Sequence, residues 1–441
     1  MWLLPVFSPL SRLAARVYYR VGYAGGDVPA TGPVLLVANH PNSLLDPMLV
    51  VAAAGRPVRF LAKSPLFTDR KIAWLVKASG AIPVYRRADD PGQMDRNQDA
   101  FHAVYDALGG GAAVGIFPEG ISHSAPGMAP LRTGAARIAV GTAERTGAAF
   151  PIVPVGLVFR QKDTFRSEAM VLRGQPVSWA DLAERGLDDA EAVRDLTARI
   201  DTALRSVTLN LASWEDRPVV EGAVRVWEAE RGEPSQAAER LARLELTTRV
   251  LAEVRRSENQ DGLSLATDLA KHLDRLDRLG LEPSDLAADV RMGQGLRWAA
   301  RRLHLLLPVG IAVAIAGLMP FWVPYRLTGL IVERLRLDED VRSTWKLLLG
   351  IVLYTLWLAF LVTVAAVLVG SVGVLLCLVL VPAVAMGGLL VRERWQSAWS
   401  DARRFFLLRS RRDMIGKLRD RQHDLAGRLQ VMLDRHTTAE S

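Results

Sequence analysis

The segment VLLVANHPNSLLDPMLV, residues 34–50, predicts a buried strand that is followed at once by a helix. Five apolar residues run up to Asn39 and His40, while Asp46 and Pro47 resemble the N-cap and first-turn residues of a helix. His40 and Asp46 have two interpretations at this point. They are a base with the acid that orients it, or they are only a strand end and a helix cap.

The alternation of strand and helix continues from residue 25 to residue 205 and is the pattern of an α/β layer structure. Predicted strands lie within 32–40, 57–63, 80–87, 111–120 and 150–159, and predicted helices cover 47–54, 70–78, 95–108 and 133–145. The sequence has neither G-x-G-x-x-G after a strand nor G-x-x-x-x-G-K-[ST], so the common nucleotide-binding loops are absent. We predict an α/β domain at 25–205, a mixed sheet flanked by helices.

Polar side chains follow several predicted strands at their carboxyl ends, where open α/β sheets bind ligands. The segment FPEGISHS, residues 117–124, follows one of them and contains a glycine that allows close approach of the backbone. An arginine at a strand end can hold a phosphate through two hydrogen bonds. Besides His40 and Asp46, the candidate residues at this edge are Asn39, Lys63, Arg86, Glu119, Gly120, Ser122 and Arg132.

Each feature alone also has a purely structural interpretation: P-E-G is an ordinary turn and Arg86 a solvated surface side chain. Together they form a site with one base, cationic groups, and no serine or cysteine nucleophile in a supporting motif. No cysteine metal cage or disulfide framework is available, because Cys377 is the single cysteine. Such a site suits direct transfer of a group to a hydroxyl on a phosphate-bearing acceptor.

The composition and the first 24 residues predict contact with a membrane. Half of the 441 residues are hydrophobic and the formal net charge is +8, which favours an anionic lipid surface or nucleic acid. Residues 1–24 are predicted to form an interfacial amphipathic helix, with Arg12, Arg16 and Arg20 aligned on one face. The alternative is a surface helix that packs on the protein's own core. No basic segment precedes the apolar start, so we expect no cleavable signal peptide.

Residues 206–303 are rich in Arg, Glu, Asp, Ala and Leu, with helical periodicity. We predict a charged helical connector, mostly solvated, and a coiled-coil partner site is an alternative. Breaks near 231–236 and 279–285 divide this region into shorter helices.

A membrane region is predicted at 304–391. Residues 347–391 include no charged side chain over 45 positions, a length that suits an α-helical hairpin of two membrane helices. The turn is predicted at 369–373, and basic residues on both flanks predict that both ends are cytoplasmic. The apolar segment 305–324 has positive charge on both sides and three prolines, which favours a re-entrant segment over a crossing.

The tail, residues 392–441, is predicted to be a basic helical segment in the cytoplasm. Its arginines close behind the apolar region are Arg403, Arg404, Arg409, Arg411 and Arg412. Such a juxtamembrane cluster binds anionic lipid headgroups, and nucleic acid is the weaker alternative. The expected protein is a multi-pass membrane protein with its α/β domain and its tail on the cytoplasmic side.

Four ordered motifs resemble those of the glycerolipid acyltransferase superfamily, whose members acylate glycerol 3-phosphate and lysophosphatidate. They are Asn39-His40 with Asp46, the segment 80–86, Phe117-Pro118-Glu119-Gly120, and IVPVG at 152–156. The forms HPNSLLDP, FPEGISH and FRSEAMVLRGQPV look closest to the fungal-type glycerol-3-phosphate/dihydroxyacetone-phosphate acyltransferase branch. Five residues separate His40 from Asp46, where the common motif has four, and the fungal-type branch shares this spacing.

The resemblance implies that His40 removes the proton of the acceptor hydroxyl as that oxygen attacks an acyl thioester, with no acyl-enzyme. Asp46 is implied to orient the imidazole and to stabilise the imidazolium. Implied acceptor- and phosphate-binding residues are Arg86, Glu119, Gly120 and Ser122, with Asn39, Lys63, Arg132 and Pro154 as further site residues. Pro154 would shape the acyl pocket, and backbone amides near Gly120 would stabilise the oxyanion.

The same resemblance implies acyl-CoA or acyl carrier protein as the donor and phospholipid synthesis as the role, while the predicted membrane region implies membrane lipids as partners. We expect no metal and no further cofactor. The motifs do not distinguish glycerol 3-phosphate, dihydroxyacetone phosphate and lysophosphatidate as the acceptor. Two other functions use the same residues: a lipid hydrolase or thioesterase that activates water, and a catalytically silent membrane scaffold. The absence of G-x-S-x-G argues against a serine hydrolase.

Overall fold

The apolar run before Asn39 forms a central strand in the computed structural model, which describes residues 4–70, 73–86, 91–232, 237–287 and 319–440. All five residues of this strand are buried, as expected for a strand covered on both faces. It belongs to a seven-stranded sheet made of β1 Arg20–Gly25, β2 Val34–Ala38, β3 Val58–Lys63, β4 Ile82–Val84, β5 Ala113–Ile116, β6 Ile152–Phe159 and β7 Glu168–Arg173.

The strands lie in the order β1-β7-β6-β2-β5-β3-β4. Neighbours from β6 to β4 are parallel, with Leu35 of β2 opposite Ile152 on one side and Val114 on the other. β7 runs antiparallel to β6, and β1 is parallel to β7. The predicted mixed α/β sheet is therefore confirmed, and its five parallel strands end at one edge.

Five of these strands are predicted from the sequence, whereas β1 and β7 are not. Both have exposed residues at their ends or at alternating positions, so neither forms a continuous apolar run. β1 also shortens the predicted N-terminal helix, because helix α1 (Leu4–Tyr18) ends before residues 20–25 pair with β7. Helix α1 buries Ala15, while Leu10 and Leu13 remain more than half exposed.

The helices that follow α1 lie between or after the strands. They are α2 Leu45–Ala54, α3 Ala73–Ala78, α4 Asn97–Gly109, α5 Gly134–Thr146, α6 Ala180–Ala183 and α7 Ala190–Arg205. Of these, α2, α4, α5 and α7 pack on the sheet. Val104 of α4, Ile138 of α5 and Leu196 of α7 join Leu35 and Ile152 in one buried cluster. The described residues of 1–214, 235–245 and 338–344 form this first compact unit.

The remaining helices are α8 Arg217–Arg231, α9 Ala237–Arg256, α10 Gln260–Leu279, α11 Pro283–Ala287, α12 Trp322–Arg334, α13 Glu339–Val369, α14 Ser371–Ser410 and α15 Arg412–Glu440. The described residues of 215–234, 246–337 and 345–441 form a second compact unit. Val226, Leu269 and Leu429 share its buried cluster. The connector predicted at 206–303 is thus helical where it is described, but it buries an apolar face against α15 and is not mostly solvated.

Among the described residues, two helices are long and apolar enough to cross a membrane, 339–369 and 371–389, each with a mean hydropathy of 2.5. They are separated at Gly370, whose φ is 77°, inside the predicted turn. A Cβ at Gly373 would lie 2.7 Å from the backbone oxygen of Ala365, so the chain passes close to itself here. Residues 305–318 of the predicted re-entrant segment 305–324 lie outside the described residues.

Candidate active site

The parallel strands bring the polar residues predicted from the sequence to one edge of the sheet. His40 follows β2, Glu119 and Gly120 follow β5, and Arg86 follows β4. Because β5 lies directly beside β2, the loops after these two strands contact each other. In that contact, the backbone N of His123 donates to the backbone oxygen of His40 at 3.2 Å.

His40 and Asp46 form a hydrogen-bonded pair. Nδ1 of His40 lies 2.8 Å from Oδ2 of Asp46, whose side chain is fully buried, whereas the His40 side chain is 19% exposed. A carboxylate only accepts, so Nδ1 carries the proton and Nε2 is the acceptor of the neutral ring. Burial raises the pKa of the Asp46 carboxyl, and the hydrogen bond with His40 opposes this rise. This is the arrangement of a general base with its orienting acid.

Asp46 is not the N-cap of its helix, contrary to the sequence interpretation. Helix α2 already begins at Leu45, and its N-cap residue makes no side-chain cap bond. The carboxylate turns back instead, and Oδ2 accepts from the backbone N of Asn42 at 2.6 Å as well as from His40. Ser43 has a φ of 47°, in the left-handed region, and this lets the five-residue spacer close into a loop.

The imidazole of His40 stacks on Phe117, with the ring centroids 4.0 Å apart and an interplanar angle of 9°. Phe117 stacks in turn on Phe60, at 5.6 Å. A Cβ at Gly115 would lie 2.3 Å from the Phe60 ring, so this glycine makes room for the stack. The stack sets the plane of the imidazole. Phe60 is not among the predicted site residues, because an aromatic residue inside an apolar strand carries no separate signal in the sequence.

Glu119 is turned into the protein and is 3% exposed. Oε1 accepts from the backbone N of His40 at 2.9 Å, and Oε2 accepts from the backbone N of Ala129 at 2.7 Å. Oε2 also lies 2.5 Å from Nε2 of His123. Both oxygens therefore bond to the chain itself, and Glu119 ties the loop after β5 to His40. Its contact with a substrate stays a prediction.

Gly120 joins Arg86 to the turn after β5. Its φ is 74°, and its backbone oxygen accepts from Nη1 of Arg86 at 2.8 Å. A Cβ on Gly120 would lie 2.7 Å from Nε of Arg132, so two cationic side chains approach this turn. The backbone N of Gly120 donates to Phe117 O at 3.0 Å. That amide is thus engaged within the turn and is not directed towards an oxyanion.

Asn39 and Ser122 make hydrogen bonds that hold the loop after β2. The Asn39 amide accepts from the backbone N of Leu157 at 2.7 Å and donates to Leu157 O at 3.0 Å. It therefore extends the pairing of β2 with β6 beyond the strand. The hydroxyl of Ser122 accepts from the backbone N of Ser43 at 3.1 Å.

Lys63 lies at the edge of the sheet, whereas Pro154 lies within it. Lys63 is the last residue of β3 and its side chain is exposed. Pro154 is buried within β6 opposite Val37, five residues before the end of that strand. The structure brings Lys63 to the edge and leaves Pro154 inside the sheet.

Lys162 was missed by the sequence analysis because it belongs to none of the four motifs. This half-buried lysine follows β6, and its Nζ donates to Pro41 O at 3.3 Å and to the hydroxyl of Ser124. Burial lowers the pKa of Lys162, and nearby carboxylates, Glu339 foremost, oppose the decrease. It adds a cationic group next to the loop that carries His40.

The chemistry open to this site follows from its contents. His40 presents a proton acceptor, Asp46 orients it, and cationic side chains lie around the turn after β5. In the described part of the chain, no group of three or more His, Cys, Asp or Glu side chains is arranged to hold a metal ion. The arrangement therefore suits removal of a proton from a hydroxyl or a water beside an anionic substrate.

The family model described as Acyltransferase matches residues 20–158. Glycerol-3-phosphate O-acyltransferase 2 of Saccharomyces cerevisiae is 33% identical over 135 residues, which are 30% of this chain and 18% of the yeast protein. Glycerol-3-phosphate O-acyltransferase 1 of the same yeast is 24% identical over 287 residues, 58% of this chain and 36% of that protein. A chloroplastic 1-acyl-sn-glycerol-3-phosphate acyltransferase of Brassica napus is 30% identical over 126 residues, which are 29% of this chain and 33% of that protein.

The match thus spans less than half the length of each of these curated relatives. Among solved structures, the 1-acyl-sn-glycerophosphate acyltransferase of Thermotoga maritima is similar at a TM-score of 0.34 and 20% identity, over 47% of this chain and 78% of that chain. The resemblance drawn from the four sequence motifs is confirmed, since residues 20–158, which contain all four, match the acyltransferase family model.

Proposed function

We propose that this chain is a membrane-bound O-acyltransferase. It would move a fatty acyl group from an acyl thioester, acyl-CoA or acyl carrier protein, to a hydroxyl of glycerol 3-phosphate or 1-acylglycerol 3-phosphate. The observation that carries the proposal is the 2.8 Å contact between His40 Nδ1 and the buried Asp46 Oδ2, within a domain of the acyltransferase family. It leaves Nε2 of His40 as the proton acceptor at the strand edge.

The proposed reaction needs only this pair and the two substrates. Nε2 of His40 takes the hydroxyl proton while the acceptor oxygen attacks the thioester carbonyl carbon. The C–S bond then breaks, and the leaving thiolate takes the proton back from the imidazolium. Asp46 remains ionised and stabilises the imidazolium through Nδ1–H, so no acyl group becomes attached to the chain.

The acceptor is proposed from the charge around the turn after β5 and from the names of the relatives. Arg86 is fixed at that turn by its bond to Gly120 O. The exposed Lys63 ends β3, and the exposed Arg132 lies against the same turn at Gly120. Guanidinium groups bind phosphate oxygens well. The relatives named above act on glycerol 3-phosphate and on 1-acyl-sn-glycerol 3-phosphate. We therefore assign Arg86 to the phosphate, with Ser122 and the Glu119–Gly120 turn shaping the acceptor side.

Membrane attachment is proposed from the two apolar helices, 339–369 and 371–389. Arg342 and Lys346 precede the uncharged stretch and Arg392 and Arg394 follow it, so a helical hairpin with both ends in the cytoplasm fits the positive-inside rule. Cysteine labelling tests this topology. The natural cysteine is removed by Cys377→Ser, and a single cysteine is then introduced by Arg342→Cys or by Ser410→Cys. Both positions should react with an impermeant maleimide only in inside-out vesicles, and labelling of one position from outside would contradict the hairpin.

The activity is tested with the full chain in lipid nanodiscs. Radiolabelled acyl-CoA or acyl carrier protein is offered with glycerol 3-phosphate, dihydroxyacetone phosphate or lysophosphatidate in turn, and His40→Ala is the control. We expect acylated product from at least one acceptor and none from the variant. Free fatty acid released at the same rate with and without acceptor would identify a thioesterase. No turnover with any pair of substrates would favour the scaffold.

A further inference from the structure

A buried polar network lies behind the His40–Asp46 pair, and its centre is Asn42. The backbone N of Asn42 donates to Asp46 Oδ2 at 2.6 Å. Its side-chain Nδ2 donates to the hydroxyl of Tyr19 at 2.6 Å, and its Oδ1 accepts from the hydroxyl of Ser343. Asn42, Tyr19, Asp46 and Ser343 are all fully buried. The amide that holds the acid therefore depends on partners outside its own loop.

Ser343 comes from a distant part of the chain, 301 positions after Asn42 and outside the matched domain at 20–158. It lies in the first turns of α13, and the next residue, Thr344, accepts from the backbone N of Leu44 at 3.2 Å. Residues 338–344 belong to the first compact unit, so both contacts lie within that unit. The uncharged apolar stretch of the same helix begins soon afterwards, at Leu347.

We infer that Ser343 is a positioning residue for the proposed acyl transfer, acting on Asp46 and His40 through Asn42. The loop at 41–44 has no regular secondary structure, and Ser43 holds an uncommon left-handed conformation. Such a loop keeps one shape only where surrounding contacts determine it. Ser343 and Thr344 supply two of these contacts. The start of the apolar helix α13 is thus part of the support of the candidate active site.

Burial makes the Ser343–Asn42 hydrogen bond hard to replace. Removing the Ser343 hydroxyl leaves Asn42 Oδ1 without that donor in a site with no exposed surface, and an unpaired buried acceptor drives rearrangement. The backbone N of Asn42 donates to the Asp46 carboxylate, so a rotation of Asn42 also shifts that carboxylate. A small change at Ser343 therefore reaches His40 through three hydrogen bonds in series, Ser343–Asn42, Asn42–Asp46 and Asp46–His40. Arg86, the proposed phosphate-binding residue, is not part of this series, so substrate binding should be unchanged.

The kinetic test rests on the proposed function and uses the full chain in nanodiscs. Ser343→Ala should lower kcat about tenfold with unchanged KM for donor and acceptor, and the isosteric Thr344→Val should lower it a few-fold. Ser343→Thr keeps a hydroxyl and should recover most of the loss. Thr355→Ala is the matched control, because this hydroxyl lies on the same helix and bonds to Ile351 O. It should behave as wild type.

A second measurement does not need activity. Diethyl pyrocarbonate modifies unprotonated imidazole, and peptide mass spectrometry reports its rate at each histidine. His40 should react several-fold faster in Ser343→Ala and Thr344→Val than in wild type, while His102 and His423 react at their usual rates. An unchanged rate at His40 in both variants overturns the inference, whether or not wild type transfers acyl groups. Faster reaction of all histidines also overturns it, since that indicates general destabilisation.

Discussion

The two halves of the candidate site differ in burial, and this difference governs how each half should respond to change. Behind the imidazole, Asp46, Asn42 and Ser343 are fully buried and bonded to one another. On the rim, Lys63 and Arg132 are exposed. A buried hydrogen bond that is left unmade costs its full desolvation penalty, whereas an exposed charge is screened by water and salt. The inner half should therefore be intolerant of substitution and the rim tolerant but sensitive to salt.

The largest effect is expected for the proposed base. His40→Ala should reduce kcat/KM by about 10⁴, because no other acceptor replaces Nε2. Acyl-transfer assays on the nanodisc-embedded chain measure this. His423→Ala, which removes an exposed histidine of α15, is the control and should keep full activity. Substantial activity in His40→Ala would exclude this residue as the base.

Asp46→Asn should separate activity from stability. The amide cannot fix the Nδ1–H tautomer, so kcat should fall about 10³-fold with little change in KM. Burial raises the pKa of Asp46 in the folded state above 3.8, the ordinary value that applies in the unfolded chain. A carboxyl of this kind favours the folded state at low pH and loses that contribution as pH rises through its folded pKa.

Asp46→Asn has no carboxyl at this position and therefore does not lose stability in this way. Its free energy of unfolding should increase relative to that of wild type as pH rises above 3.8. Denaturant titrations at several pH values measure the difference. Asp106→Asn, at a carboxylate that is 79% exposed, should show neither effect. A relative stability that worsens with rising pH would contradict the raised pKa.

Gly120→Ala tests the close approach at the turn after β5. The positive φ should cost about 1–2 kcal/mol of stability, and the Cβ at 2.7 Å from Nε of Arg132 should also displace the turn. We expect about a tenfold loss of kcat/KM with glycerol phosphates. Gly147→Ala is the control, since Gly147 has a φ of 73° and open space around it. It should lose stability alone, and equal loss of activity in both variants would remove the special role of Gly120.

Arg86→Lys should act on the acceptor alone. Lysine keeps the charge but loses the planar fork, so KM for the phosphate-bearing acceptor should rise about tenfold while kcat changes little. KM for the acyl donor is the internal control. A rise in the donor KM instead would assign Arg86 to the donor phosphates.

Lys63→Ala should have the smallest effect. A two- to threefold increase in acceptor KM at low salt is expected. It should vanish near 0.5 M salt, where exposed charges separated by more than about 4 Å are largely screened. Lys271→Ala on α10 serves as the control and should show no salt-dependent change. An increase in acceptor KM that does not depend on salt would contradict the assignment of Lys63 to the exposed rim.

The sequence predicts much of the fold and the edge of the sheet but fewer of the contacts. Val34–Ala38 and the other buried parallel strands appear as apolar runs, and the break at Gly370 appears as a glycine-rich interruption. Glu119 appears only as part of a turn motif, although it faces inward and holds the backbone of His40. β1 and β7 are missed because partly exposed strands lack a continuous apolar run.

The sequence by itself determined that His40 and Asp46 stand near a strand end, that a P-E-G turn joins the same edge, and that an uncharged stretch of two helix lengths follows. These features depend on neighbours in the chain, so local periodicity and turn chemistry encode them. Only the tertiary structure decided that Asp46 also accepts from Asn42 and does not cap its helix, and that Ser343 supports this loop. The physical reason is that a hydrogen bond between residues 301 positions apart leaves no pattern in either local segment.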